Sequence, residues 1–167
     1  MPKTTKDKLF GHHYGTGLYM DNKLIARFKE FYTLETFQVA FYKAQANSAT
    51  DEYYRRAFEK LVQIEQGHAD YFANEIGNAN EEVPSLTGSF FQLAGNLLGE
   101  SVEPLGRHNT CKLGAALENE AIKKYRMFIK ECKTKNYLIF KYTLMDYLLD
   151  EEFHTLWLKD YMNSHPG

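Results

Sequence analysis

No stretch of this sequence alternates polar and apolar residues as a half-buried strand does. Nor does any apolar run approach the roughly 20 residues needed to span a bilayer. The longest candidate, SFFQLAGNLLG over 89–99, is about half that length and is interrupted by polar side chains. Charge of one sign is also lacking: a net charge of −2 leaves no electrostatic footprint for nucleic acid. Cysteine is limited to Cys111 and Cys132, both within one predicted helix. At helical rise they stand about 30 Å apart and cannot bridge each other within the chain. There is no CxxC and no cysteine–histidine cluster of zinc type, and the cysteine usage suits a reducing cytoplasm. The N-terminal MPKTTKDKLFGHHYGTG carries lysines but no apolar segment, so it does not read as a secretory signal and a cytoplasmic location is expected.

What is present is helical. The 167 residues, 44% apolar and 25% charged with four prolines, are one domain's worth and long enough to bury a real core. Four stretches carry apolar residues at helical spacing. Helix A is expected over about 22–47, with Phe28, Phe31, Val39 and Tyr42 on one face, and Ser48 or Thr50 is the expected N-cap of the next helix. Helix B covers about 51–77, with Phe58, Leu61, Glu65, His68 and Phe72 in register. A polar break, GNANEEVPSLTG, leads into the short amphipathic piece at 89–99 and a second break, ESVEPLG. Helix C follows over about 107–134 (Cys111, Ala115, Glu118, Ala121, Tyr125, Phe128), then helix D over about 136–162 (Phe140, Leu144, Leu148, Glu151, His154, Leu158). Short A–B and C–D connections and a long B–C link predict an all-α, ferritin-like four-helix bundle with one long crossover carrying a short helix. The bundle is expected over 22–163, between an N-terminal tail, 1–21, and a C-terminal tail, 164–167.

Each helix breaks its own apolar stripe with a carboxylate. Glu35 on A and Glu118 on C each stand seven residues before a tyrosine, Tyr42 and Tyr125; B and D carry Glu65 with His68 and Glu151 with His154. Residues i and i+3 share a helix face, so each ExxH pair can point both groups at one metal. A single such pair is commonplace, but two on apolar stripes, each preceded by a helix with a matching glutamate, form the set of four Glu and two His that dinuclear carboxylate bundles use. Four carboxylates balance two divalent cations, and mixed oxygen and nitrogen donors suit iron or manganese. The expected cofactor is therefore two Fe ions, with Mn or a mixed Fe/Mn pair as the other occupants. Asp150, next to Glu151, is a candidate to orient His68, and Tyr42 and Tyr125 are expected beside the site as core residues. Glu30, Glu120 and Glu152 fall off the stripes and read as surface charge, while His12, His13, His108 and His165 fall in expected loops or tails.

With these residues in hand, the chain resembles the ferritin-like diiron-carboxylate superfamily over about 24–162. EQGHADYF and LLDEEFHTLWL are similar to bacterioferritin segments, but Gln66 stands where that family's haem-ligating methionine follows the helix B glutamate, so the resemblance implies no haem. The intervals of 30 residues from Glu35 to Glu65, 53 from Glu65 to Glu118 and 33 from Glu118 to Glu151 instead resemble the demethoxyubiquinone hydroxylase family of quinone biosynthesis. So do Pro84, Ala94-Gly95, Leu98-Gly99 and Leu105-Gly106 in the crossover, and Gln45 three residues beyond Tyr42. That likeness implies an O2-dependent diiron monooxygenase with an electron donor, an aromatic quinone-like substrate and at most peripheral membrane contact; a further expectation is a metal-binding bundle whose main role is interaction, as a homodimer. The same site could serve a ferroxidase or peroxidase in iron handling or oxidative-stress protection. Tyr32, Phe37 and Gln38 depart from the small residues and histidine that the hydroxylase family places around its first glutamate, and their bulk narrows the expected pocket.

Overall fold

The computed structural model describes residues 20–85, 106–132 and 137–165. Four long helices make up nearly all of these: α1 (Asn22–Ser48), α2 (Glu52–Asn78), α3 (Arg107–Cys132) and α4 (Leu138–Ser164). The expected all-α four-helix arrangement is present. Its crossover, including the short amphipathic piece at 89–99 and all but the ends of the B–C link, lies outside the described residues, as do His12, His13 and residues 133–136. The helix bounds match expectation to within two residues where both ends are described. α4 extends to Ser164, into the stretch read as tail.

Caps explain where the first two helices begin. Asp21 accepts a hydrogen bond from Leu24 N at 2.8 Å, and Asp51 accepts one from Tyr54 N at 2.8 Å. The N-cap of α2 is thus Asp51, not Ser48 or Thr50. Ser48 is still helical, and the aspartate carboxylate is both a cap acceptor and a charge that the helix N-terminus favours. At the other end of α2, Asn80 takes the left-handed conformation (φ 57°). This lets Asn80 N–H reach the Gly77 carbonyl at 2.9 Å and Glu81 N–H reach that of Ile76 at 3.2 Å, closing the helix in a Schellman turn.

The helices pair as two hairpins, α1 with α2 and α3 with α4. Across the pairs, α1 is tied to α3 by Arg27–Glu131 at 2.9 Å and by the Lys124–Glu30 ion pair, so Glu30 is a partner in an inter-helix bridge well away from the centre. α2 meets α4 through Phe58 and Trp157, whose rings stand 5.6 Å apart edge to face. The core divides into two apolar clusters. One holds Phe28, Phe31, Phe72, Phe128, Phe140 and Leu144, with Phe31 stacked on Phe72 at 5.1 Å; the other holds Tyr42, Tyr54, Phe58, Cys111, Leu158 and Tyr161. Val39, expected in the core, is only half-buried, while Leu34, Phe37 and Gln38 are buried. Both cysteines are buried free thiols, one in each cluster. No described helix is long and apolar enough to cross a membrane.

Two glycines test this packing. A Cβ at Gly67, on the exposed side of mid-α2, would meet nothing within 4 Å. One at Gly114 would lie 3.2 Å from Leu158 Cδ1 and 3.4 Å from Tyr42 Cε1, where α3 closes on its neighbours. Gly67→Ala is therefore expected to stabilise the bundle by about 0.5–1 kcal/mol, a rise in Tm of roughly 1–4 °C, because glycine costs that much in a helix interior. Gly114→Ala should forfeit the gain. Thermal melts of the two variants beside the parent chain check both expectations.

Candidate metal centre

Every helix passes from one apolar cluster to the other, and every helix places its polar residues at the crossing. On α1, Glu35 and Gln38 fall between Leu34 and Tyr42; on α2, Glu65 and His68 fall between Leu61 and Phe72. Glu118 on α3 lies between Ala115 and Ala121, and Glu151 and His154 on α4 between Leu144 and Leu158. The result is a single polar layer in mid-bundle. All six residues expected as ligands meet there, none more than 4% exposed.

They form two four-residue donor sets: Glu35, Glu65, His68 and Glu151, and Glu65, Glu118, Glu151 and His154. Within each, one donor atom per residue lies within 4.8 Å of all the others. Glu65 and Glu151 belong to both sets, the arrangement that bridging carboxylates require. Both imidazoles present Nδ1 to the centre. His68 Nδ1 is 3.2 Å from Glu65 and 3.3 Å from Glu151, and His154 Nδ1 is 2.9 Å from Glu65. The other nitrogen of His68 sits 3.1 Å from Asp150 Oδ2, which favours a proton on Nε2 and a lone pair on the inward Nδ1. Tyr125 donates to Glu35 Oε1 at 2.7 Å, and Tyr42 donates to Glu118 Oε1.

Five inward atoms of the layer have no hydrogen-bond partner although they are buried: Glu35 Oε2, Glu65 Oε2, Glu151 Oε1, His68 Nδ1 and His154 Nδ1. Buried polar atoms are seldom left this way. Each is an oxygen or nitrogen donor, the chemistry that iron or manganese takes, so the residues fit a dinuclear carboxylate-bridged group. Glu120 and Glu152 are half-exposed and paired with Lys123 and Arg126, outside the layer. His108 lies in the first turn of α3 and His165 stacks on Tyr161 at 4.2 Å; neither joins the site.

Two residues of the layer escaped the sequence reading as site groups. Gln38 donates from Nε2 to Glu118 Oε2 at 2.9 Å, with Glu151 Oε2 at 3.4 Å and Glu65 Oε1 at 3.5 Å also in reach. The i,i+3 rule that singles out each ExxH applies equally to Glu35 and Gln38, so the signal was there. Tyr147 lies against the His68 ring, with centroids 4.0 Å apart. It stands three residues after Leu144 and four before Glu151, so helical spacing places it on the same stripe of α4, and that signal was there too.

The side chains alone cannot hold four carboxylate charges in this layer. Burial, and then the charge of neighbouring carboxylates, raises Glu35, Glu118 and Glu151 above the ordinary carboxylate range. Burial pushes Glu65 the same way, but the imidazoles of His154 and His68, 2.9 and 3.2 Å away, outweigh it and hold Glu65 down at about 2. For the imidazoles burial favours the neutral form. Carboxylate partners reverse this, raising His68 through Asp150 and Glu151 and lifting His154 to about 11 through Glu118 and Glu65. Groups whose pKa rises on folding stabilise the native state below their unfolded value and lose that contribution as pH climbs through the folded value. Three acids therefore withdraw stability above about pH 4.5 and two histidines above about 6.5, whereas Glu65 has the opposite sign only between about 2 and 4.5. Chelator-stripped protein should melt at progressively lower temperature as pH is raised from 5 to 9. A Tm that climbs over this range would contradict the electrostatic description of the layer.

No family model matches the chain, and no curated protein does. Among solved structures it is similar to the crystal structure described as that of ferritin-like, diiron-carboxylate proteins from Bacillus anthracis strain Ames, with a TM-score of 0.65 at 21% identity. The superposition covers 86% of this chain and 99% of that one. At this identity the likeness bears on architecture, and it shows that the chain adopts the ferritin-like all-α four-helix fold.

Proposed function

We propose that the chain is an O2-activating oxidoreductase built on a carboxylate-bridged pair of iron ions, with manganese or a mixed pair as the other occupants its donors suit. The observation that carries this reading is the sharing of Glu65 and Glu151 between two buried donor sets, each completed by one further glutamate and one histidine. The description of the Bacillus anthracis neighbour as a diiron-carboxylate protein supports it. Glu65 and Glu151 would bridge, Glu35 and His68 would complete one position, and Glu118 and His154 the other. Iron bound there supplies redox chemistry toward O2.

The chain's own residues do the rest. The phenolic groups of Tyr125 and Tyr42 are fully buried, which raises their pKa well above the ordinary value and keeps them protonated donors to Glu35 and Glu118. Each fixes one carboxylate oxygen and aims the other. Asp150 holds the outer nitrogen of His68. The two aromatic clusters above and below the layer exclude water, which strengthens each of these interactions.

For the reaction we favour hydroxylation of an aromatic, quinone-like molecule, a reading that rests on the glutamate intervals and crossover residues resembling the demethoxyubiquinone hydroxylases. A second reading, ferroxidase or peroxidase without organic substrate, draws on Phe37 and Gln38. Both are buried, and both stand beside the first glutamate in sequence, where that family has small residues; Gln38 reaches into the layer.

Anaerobic loading with Fe(II) followed by elemental analysis should find close to two metals per chain. Glu65→Ala or Glu151→Ala, each removing a donor common to both sets, should lose both ions, while Glu120→Ala and Glu152→Ala should keep them. At free metal a hundredfold above its Kd, each filled position should stabilise the fold by about 2.7 kcal/mol. The increment should grow with pH, since protons no longer compete for the donors. The two reactions separate when reduced, loaded protein meets O2 and a short-chain quinone analogue. Incorporation of labelled oxygen into the analogue supports the hydroxylase. Rapid Fe(II) oxidation with no analogue binding, even after Phe37→Ala and Gln38→Ala, would leave the second reading.

A further inference from the structure

The two donor sets are chemically matched, yet their hydrogen bonding is not. On the His68 side the inward atoms are unengaged. Glu35 Oε2, Glu65 Oε2 and Glu151 Oε1 lie 3.5, 3.2 and 3.3 Å from His68 Nδ1, and all four atoms are buried without a hydrogen-bond partner. On the His154 side the carboxylate oxygens are occupied. The Gln38 amide nitrogen contacts Glu118 Oε2 (2.9 Å), Glu151 Oε2 (3.4 Å) and Glu65 Oε1 (3.5 Å); the tyrosines are matched, Tyr42 on Glu118 Oε1 and Tyr125 on Glu35 Oε1, and His154 Nδ1 lacks a partner as His68 Nδ1 does. One neutral side chain thus touches all three carboxylates of the second set. Its own Oε1 is buried and without a partner, so nothing else in the layer anchors the amide.

The histidines differ as well. His68 has Asp150 behind it at 3.1 Å, whereas His154 Nε2 is buried with no partner. The sequence accounts for this: Asp150 precedes Glu151 on α4, and the matching position before Glu65 on α2 is Ile64. A carboxylate behind a ligating imidazole fixes its orientation and raises its basicity, and losing such a partner typically costs 10–100-fold in metal affinity.

We infer that the two positions fill in order, Glu35/His68 first and Glu118/His154 second, and that Gln38 sets the gap. The inference rests on the dinuclear reading. The partial positive charge of the Gln38 N–H groups stands where the second set of carboxylates converges, in place of a cation. A metal entering the first position meets free donor atoms on a pre-oriented imidazole. One entering the second must turn the carboxamide aside and orient an unsupported histidine. Gln38 is a positioning residue in this scheme: it governs how many metals the centre holds at a given concentration without being one of the six donors. At limiting metal the chain would hold a single ion with Gln38 completing the layer.

The test is an anaerobic Mn(II) titration of the full, chelator-stripped chain, read by loss of the free Mn(II) paramagnetic resonance signal on binding. Two phases at least about tenfold apart are expected. His154→Ala should abolish the weaker phase and His68→Ala the tighter one. Gln38→Leu, which keeps the volume but cannot donate, should tighten the second phase about tenfold and leave the first unchanged; a side chain with only a packing role would shift both or neither. Asp150→Asn, at a position whose side chain is 41% exposed and so tolerant of change, should weaken the first phase about tenfold and leave the second unchanged. Two ions binding with one affinity, a gap left unchanged in both Gln38→Leu and Gln38→Ala, or loss of the weaker phase in His68→Ala would overturn the order while leaving the dinuclear centre standing. Absence of any saturable Mn(II) binding would overturn both.

Discussion

Four carboxylates and two imidazoles occupy one water-excluded layer at the middle of this bundle, and their mutual electrostatics constrain everything around them. Removing an ionised carboxylate from water costs several kcal/mol even after local relaxation, and like charges in contact add to that cost. The layer can exist only if compensating charge, from protons or cations, is held within it. It stays dry only if apolar packing closes both sides. The aromatic clusters that meet this need extend on all four helices, from Phe28 to Tyr42 on α1 and from Tyr54 to Phe72 on α2. This is a physical reason for helices of 26 or 27 residues in so small a chain. A shorter bundle would bring the charged layer within reach of solvent at one end.

The layer is approximately twofold symmetric in its donors and asymmetric in what holds them. Each hairpin contributes a lone glutamate and a Glu-x-x-His pair, and each lone glutamate accepts from a tyrosine seven residues on along the opposite helix of the α1–α3 pair. The symmetry breaks at two places. Gln38 follows Glu35 by three residues where Ala121 follows Glu118, and Asp150 precedes Glu151 where Ile64 precedes Glu65. Both differences favour the same half. Asp150 supports the histidine of the first set, and Gln38 engages the carboxylates of the second. Two differences at matched positions therefore distinguish two donor sets built from the same six residues.

The helices, their pairing and the six converging side chains were all legible before any coordinates. The 3.6-residue period is a local property, and a carboxylate on an apolar stripe stands out against it whatever the neighbouring helix is doing. Caps were harder to place. Ser48, Thr50 and Asp51 are all competent N-cap residues, and which one serves depends on where α1 stops and how the chain turns toward α2. Val39 illustrates a similar limit. It shares a broad face with Phe31 and Tyr42, yet it lies half-buried at the edge of that face while Leu34 and Phe37 are buried.

What the sequence by itself determined is which side chains each helix aims at the core and at what height, because both follow from counting residues along a rigid rod. Only the tertiary structure decided which atoms meet across the layer. Whether Gln38 reaches Glu118 rather than Glu35, and whether Asp150 backs His68 while His154 has no such support, depends on how the helices are rotated and offset against one another. Those offsets are set jointly by the packing of Phe31 on Phe72, of Phe58 against Trp157 and of Leu158 over Gly114, and no single helix encodes them.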